Sequence, residues 1–169
     1  MKALIKVILI ILGAFLVILW TSCSESVLPE DELTPVDTET VINELVTKIN
    51  DMRTNGYKDY GPVGTIYAQE YVTQAAQDHT DYMSVNGLCH NWKDGTTLGQ
   101  RLQKLDFLYN FCAEDVSKTE LKTSDDILNY WLERECFCDM IMDSRPLFIG
   151  IAQTDGYWCV VVANGVYLK

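Results

Sequence analysis

The stretch Gly87-Leu88-Cys89-His90-Asn91-Trp92-Lys93-Asp94-Gly95 holds one of only two histidines in 169 residues. Imidazole has an ordinary pKa near neutrality, so His90 beside Cys89 in a short polar loop suits a metal site, an acid–base centre or a structural staple alike. Cys89 and Cys112 are the thiols placed to act as nucleophiles near such a centre. Further along, Cys136-Phe-Cys138 lacks the two-to-four-residue spacing usual for zinc, and no second cysteine pair accompanies it. The other histidine, His79, shares a helical face with Ala68, Val72, Ala75 and Met83. That stripe predicts a core imidazole with local hydrogen bonds.

The elements that must position these residues are readable from periodicity. Val41, Leu45, Ile49 and Met52, widened by Ile42 and Val46, predict an amphipathic helix over 39–54 that stops at Asn55-Gly56. A second helix runs from about Ala68 to the Asn86-Gly87 stop. Thr97–Leu105 reads as a short helix, and Ser124–Glu135 as another, opened by a cap and acids in Thr-Ser-Asp-Asp, with Ile127 and Trp131 on one face. The chain finishes with Pro146–Gln153 and Tyr157–Gly165, two β-rich runs joined by Thr154-Asp155-Gly156, a hairpin signal. Helices first and a closing hairpin define an α+β domain, helices covering a small, largely antiparallel sheet. Internal repeats, a Gly-rich phosphate loop and a GxSxG elbow are all missing from the sequence.

The N-terminal pattern places this domain outside the cytoplasm. Lys2 and Lys6 precede an apolar run of 14 residues, Val7–Trp20, followed by Thr21-Ser22-Cys23. The run is shorter than the roughly 20 residues that cross a bilayer, and it predicts a signal peptide over 1–22. Two small residues before a cysteine resemble a bacterial lipobox, which implies lipidation of Cys23; an ordinary secretory signal is the alternative. Residues 23–38 are polar, acidic and proline-bearing, as expected of a tether, and 39–169 form one domain large enough to bury its own core. Without Lys2 and Lys6 the chain has 11 basic against 24 acidic residues, a net charge of −13. Such a surface repels nucleic acid and favours a small ligand or a neutral or basic partner. In an oxidising compartment the five remaining cysteines, Cys89, Cys112, Cys136, Cys138 and Cys159, suggest disulfides, with one thiol left over.

An ordered set of short motifs then points to a family. Ala75–Met83 reads A-A-Q-D-H-T-D-Y-M; Leu88-Cys89-His90 is followed by Asp94-Gly95; then come Ala113-Glu114-Asp115-Val116, Thr123–Trp131, Ile149-Gly150-Ile151-Ala152 and Tyr157-Trp158. In that order, over about residues 40–165, the chain resembles the bacterial branch of the CAP superfamily, the SCP-like domains of cysteine-rich secretory proteins. In that branch a loop of the form F-S-H-x-x-x-D-G-x-T-x-x-x-R precedes the sequence G-E-N-I.

The resemblance implies an α-β-α sandwich and a cleft with two histidines and two acids, sometimes occupied by a divalent metal. It assigns His90 as the first histidine and Glu114 as the first acid. Arg134 stands where the eukaryotic branch keeps its second acid, and Phe137 where the bacterial branch has its second histidine. Zinc needs three or four ligands; His90 and Glu114 are two. Asp115 or Glu135 completes a set only if the fold aims it inward, Glu135 lying four residues after Trp131 on the expected helix. Arg134 is expected to neutralise Glu114 or to leave a cationic spot for an anionic ligand. A disulfide between Cys89 and Cys112 would tie the two halves of the cleft.

Half of the tetrad is therefore missing. The expected function is that of a membrane-tethered lipoprotein with a noncatalytic binding cleft formed by His90, Glu114, Asp115, Arg134 and Glu135. No cofactor is required. Partners consistent with the sequence are a small molecule, a lipid, a cell-wall fragment or a protein. The alternatives are a peptidase-like hydrolase or a divalent-metal-binding protein, both using His90 and Glu114.

Overall fold

A computed structural model describes residues 37–168. The predicted signal peptide, Cys23 and most of the tether lie outside the described residues. From Asp37 onward the elements are α1 (Thr38–Asn55), β1 (Tyr67–Ala68), α2 (Glu70–Asn86), α3 (Leu98–Lys104), β2 (Phe107–Lys118), α4 (Ser124–Leu132), α5 (Glu135–Met142), β3 (Phe148–Thr154) and β4 (Tyr157–Tyr167). Among the described residues, no helix is long and apolar enough to cross a membrane.

One four-stranded sheet has the order β1-β3-β4-β2. β1 runs parallel to β3, and β4 pairs antiparallel with β3 on one side and β2 on the other. Alternation along β4 builds two cores. Trp158, Val160 and Val162 pack with α1, α4 and α5, whereas Cys159, Val161 and Ala163 pack with α2 and α3. A central strand buried on both faces reads as a continuous apolar run, which is why Tyr157–Ala163 shows no polar alternation. The result is the α-β-α sandwich expected from the sequence.

Close packing between layers depends on one glycine. A Cβ at Gly150 would lie 2.4 Å from the backbone of Val72 and Thr73, so only glycine lets α2 sit this close to β3. The β3–β4 turn is Asp155-Gly156, with φ of 50° and 78°, the two positive angles a tight two-residue hairpin demands.

Four elements differ from the sequence reading. Ala68 lies exposed in β1, and α2 starts only at Glu70, with the Gln69 side chain capping Val72. The buried stripe of α1 is Val41, Leu45, Ile49 and Arg53, not Met52. Arg53 is fully buried and donates to the carbonyls of Gly64 (2.7 Å), Asp143 (2.8 Å) and Ile141, fastening the end of α5 to α1. The expected helix Ser124–Glu135 stops at Leu132, and after a break at Glu133-Arg134 a helix absent from the sequence reading, α5, begins at Glu135. Finally, the long strand β2 is absent from the sequence reading. Its residues Phe107–Lys118 carry an irregularity between Tyr109 and Phe111, which blurs the two-residue period by which strands are recognised.

Candidate functional site

The loop that carries His90 is held on helix α2 by His79. The His79 ring is fully buried, accepts at Nδ1 from the Trp92 indole N–H (2.9 Å), and meets the Cys89 carbonyl at Nε2 (2.8 Å). An indole N–H can only donate, so Nδ1 is the acceptor and Nε2 carries the proton. Burial first, and the nearby Arg101 second, push the His79 pKa from 6.5 down to about 4. Tyr82, one turn further along α2, stacks on Trp92 with ring centroids 4.9 Å apart and accepts from the Lys93 N–H (2.6 Å). His79 is thus the locally bonded core histidine the sequence predicted. His90 is its opposite: its side chain is 63% exposed, and Nδ1 lies 4.0 Å from Glu114 Oε1, beyond hydrogen-bonding reach.

Glu114 and Asp115 are neighbours on β2, and successive strand residues face opposite sides of a sheet. Glu114 points to the α2/α3 layer, where its Oε2 meets Nη2 of Arg101 and, at 3.8 Å, the Cys159 thiol. The Arg101 side chain is 1% exposed, with its guanidinium over the Trp92 ring at 6.0 Å. Its Nε and Nη1 have no hydrogen-bond partner among the described residues. Burial raises the Glu114 pKa above its ordinary value, opposed by the charges of Arg101 and His90.

Asp115 points to the other layer. There Arg134 Nη1 donates to its Oδ1 (3.0 Å) and to the Val116 carbonyl (3.3 Å). Burial raises the Asp115 pKa as well, against the pull of Arg134. Arg134 reaches this position because it sits at the break between α4 and α5, with its own N–H donating to the Trp131 carbonyl at 3.1 Å.

The predicted cleft is therefore divided. His90 and Glu114 come together, but Arg134 pairs with Asp115 and not with Glu114. Glu135 opens α5 instead of extending α4, is exposed, and lines a groove with Lys58, Asp59 and Tyr60. Among the described residues, no three His, Cys, Asp or Glu side chains converge as a metal site would require. Cys89, Cys112, Cys136, Cys138 and Cys159 are all free thiols, contrary to the expected disulfides. Cys138 packs with the first core and Cys159 with the second, so the sheet separates them; Cys89 and Cys112 flank the same cluster as Cys159.

Arg101 was the residue missed by sequence reasoning. It is the final arginine of the D-G-x-T-x-x-x-R pattern, counted from Asp94 to Arg101, and that position was the available signal. A capping box between Thr97 and Gln100 starts α3 at the right point to turn Arg101 towards β2.

The layers, the strand order and the loop over β2 define an α+β protein with the CAP-type, SCP-like fold. Solved structures that share it include an outer surface protein from Borrelia burgdorferi, at 18% identity and a TM-score of 0.63, over 78% of this chain and 97% of that one. An extracellular protein containing an SCP domain from Bacillus anthracis matches at 16% identity and a TM-score of 0.59, over 78% of this chain and 45% of that one. A cysteine-rich secretory protein from Staphylococcus aureus matches at 15% identity and a TM-score of 0.61, over 76% of this chain and 40% of that one. This chain thus spans less than half the length of the last two. No family model and no curated protein sequence matches it.

Proposed function

We propose that this protein is an extracytoplasmic CAP-fold binding module, tethered to a membrane through Cys23, with a noncatalytic cleft. The observation that carries this reading is the neutralisation of both acids: Glu114 is paired with Arg101, and Asp115 with Arg134. A carboxylate engaged by a guanidinium is a poor metal ligand and a poor general base, and His90 has no second histidine to work with. The 14-residue apolar run before Thr21-Ser22-Cys23 supports export and lipidation. The similar structures are those of outer-surface, extracellular and secretory proteins, which is consistent with that location.

The exposed His90 ring beside the Glu114 carboxylate suits contact with a small polar ligand, in keeping with an acidic surface. One observation favours a hydrolase instead: the raised pKa of Glu114 brings a carboxyl beside His90 closer to proton transfer at neutral pH. Assay of the purified protein against a panel of peptides and esters separates the two. Absence of turnover supports the binding module; turnover abolished by His90→Ala, with the fold intact, overturns it in favour of the hydrolase.

A further inference from the structure

The attachment of the His90 loop to the body of the protein depends on a neutral ring. Of the two hydrogen bonds made by His79, one requires Nδ1 to be bare, because its partner is the Trp92 indole N–H. A protonated imidazole carries N–H at both nitrogens and would set one donor against another. The added charge would also be placed badly. The ring is fully buried, and Arg101, itself 1% exposed, is the cation that acts on it most strongly.

The titratable and charged groups around this network are few. They are Tyr82 from the same helix, Cys89, His90, Lys93 and Asp94 from the loop, Arg101 and Lys104 from α3, Cys112 and Glu114 from β2, and Cys159 from β4. Glu114 is the one carboxylate among them with a buried side chain and is already engaged by Arg101, whereas Asp94 is exposed and engaged by the Thr96 N–H. A second buried cation would have no counterion of its own.

The rest of the loop is lightly tied. Between its two ends, where Gly87 donates to Met83 of α2 and Thr97 caps α3, its other bond to α2 is the Lys93 N–H to Tyr82, with the Tyr82–Trp92 stack; Arg101 and Lys104 of α3 lie over the Trp92 ring, and the bonds Trp92 to Thr96, Gly95 to Trp92 and Thr96 to Asp94 are internal. None belongs to the sheet ladder, so the loop can leave without unpairing a strand.

We propose that His79 is an acid-sensitive latch: protonation of its ring releases the 87–97 loop, carrying His90 and Trp92, from helix α2 while the sheet stays folded. The sign follows from the depressed pKa. Closure is fully favoured above 6.5, weakens as pH falls, and has lost this contribution at about 4.

Hydrogen exchange on the full chain, expressed as protection factors to remove the intrinsic pH dependence, tests this together with His79→Gln. A glutamine amide can present an oxygen to Trp92 and an N–H to the Cys89 carbonyl without titrating. In the wild type, protection of residues 87–97 should fall by up to about tenfold per pH unit across the window, one proton being taken up on opening, while β4 keeps its protection. His79→Gln should flatten that dependence. The proposal is overturned if the variant opens with the wild-type pH profile, or if loop and β4 lose protection together in the wild type. If the variant does not fold, 15N spectra of the wild-type ring decide. Protonation of Nδ1 with loss of the Trp92 indole resonance supports the latch, and protonation that leaves this resonance unchanged refutes it.

Discussion

Glu114 and Asp115 are adjacent in sequence, alike in chemistry, and each paired with an arginine, yet they belong to different parts of the molecule. Glu114 and Arg101 form a buried pair beneath the His90 loop, with side chains 8% and 1% exposed. Asp115 and Arg134 lie on the opposite face of β2, where the arginine is 29% exposed and also holds a strand carbonyl. The first pair closes the floor of the candidate cleft. The second fastens the break between α4 and α5 to the edge of the sheet. The same two residue types thus serve a site on one face and an architectural joint on the other, and the pleat of a single strand separates the roles.

The sharpest way to break this comparison is to remove each arginine. Arg101→Met leaves a buried, unpaired carboxylate and should destabilise the protein by about 3–5 kcal/mol in chemical denaturation. Replacing both partners, Arg101→Met with Glu114→Leu, should recover much of that loss, because the uncompensated charge goes with it. Recovery would show that the pair is retained for something other than stability.

Arg134→Met should cost less, about 1.5–3 kcal/mol, since it removes charged hydrogen bonds at a partly exposed position. If the two single losses proved equal, the contrast drawn between the faces would fail. His90→Ala should move stability by no more than about 0.5 kcal/mol, since the ring is largely exposed and stands beyond hydrogen-bonding reach of Glu114. Any effect of that variant belongs to ligand binding and is read by titration with candidate ligands. The smallest expected effect is that of metal: melting temperature should be the same in zinc and in chelator, and a rise with zinc would mean that a ligand set forms after all.

The pH dependence divides along different lines. Burial raises both acids, so folding penalises their ionised forms. Their contribution to stability is fully present below the ordinary carboxylate values, 4.5 for Glu114 and 3.8 for Asp115, and is lost as pH rises through the raised ones. His79 acts in the other direction, losing its contribution as pH falls from 6.5 to about 4. Stability curves of His79→Gln and Glu114→Gln against wild type over pH 4–8 separate the two slopes.

Four of the helices and the closing hairpin were legible because their signals are local: apolar spacing in α1 and α2, a cap and acids with Ile127 and Trp131 on one face in α4, and Asp155-Gly156 at the turn. His79 was legible for the same reason, since its helical face fixed its burial. β2 was not. Its middle residues, Asn110 to Ala113, are neither cleanly alternating nor uniformly apolar, and they become a strand because β4 supplies the ladder. Arg53 shows a similar limit: its position on the buried stripe is periodic, but an arginine is accepted there only because three carbonyls from distant segments converge on it.

By itself, then, the sequence determined the α+β class, the order of the CAP-like motifs, the acidic surface, and the presence of His90 and Glu114 as a possible pair. Each follows from residue type and short-range spacing, which a linear chain displays directly. Only the tertiary structure decided which arginine answers which acid, that Glu135 turns away, and that His79 holds the loop through Trp92. Those outcomes depend on where a helix breaks and which way a strand's side chains face, and both are set by packing between segments far apart in the chain.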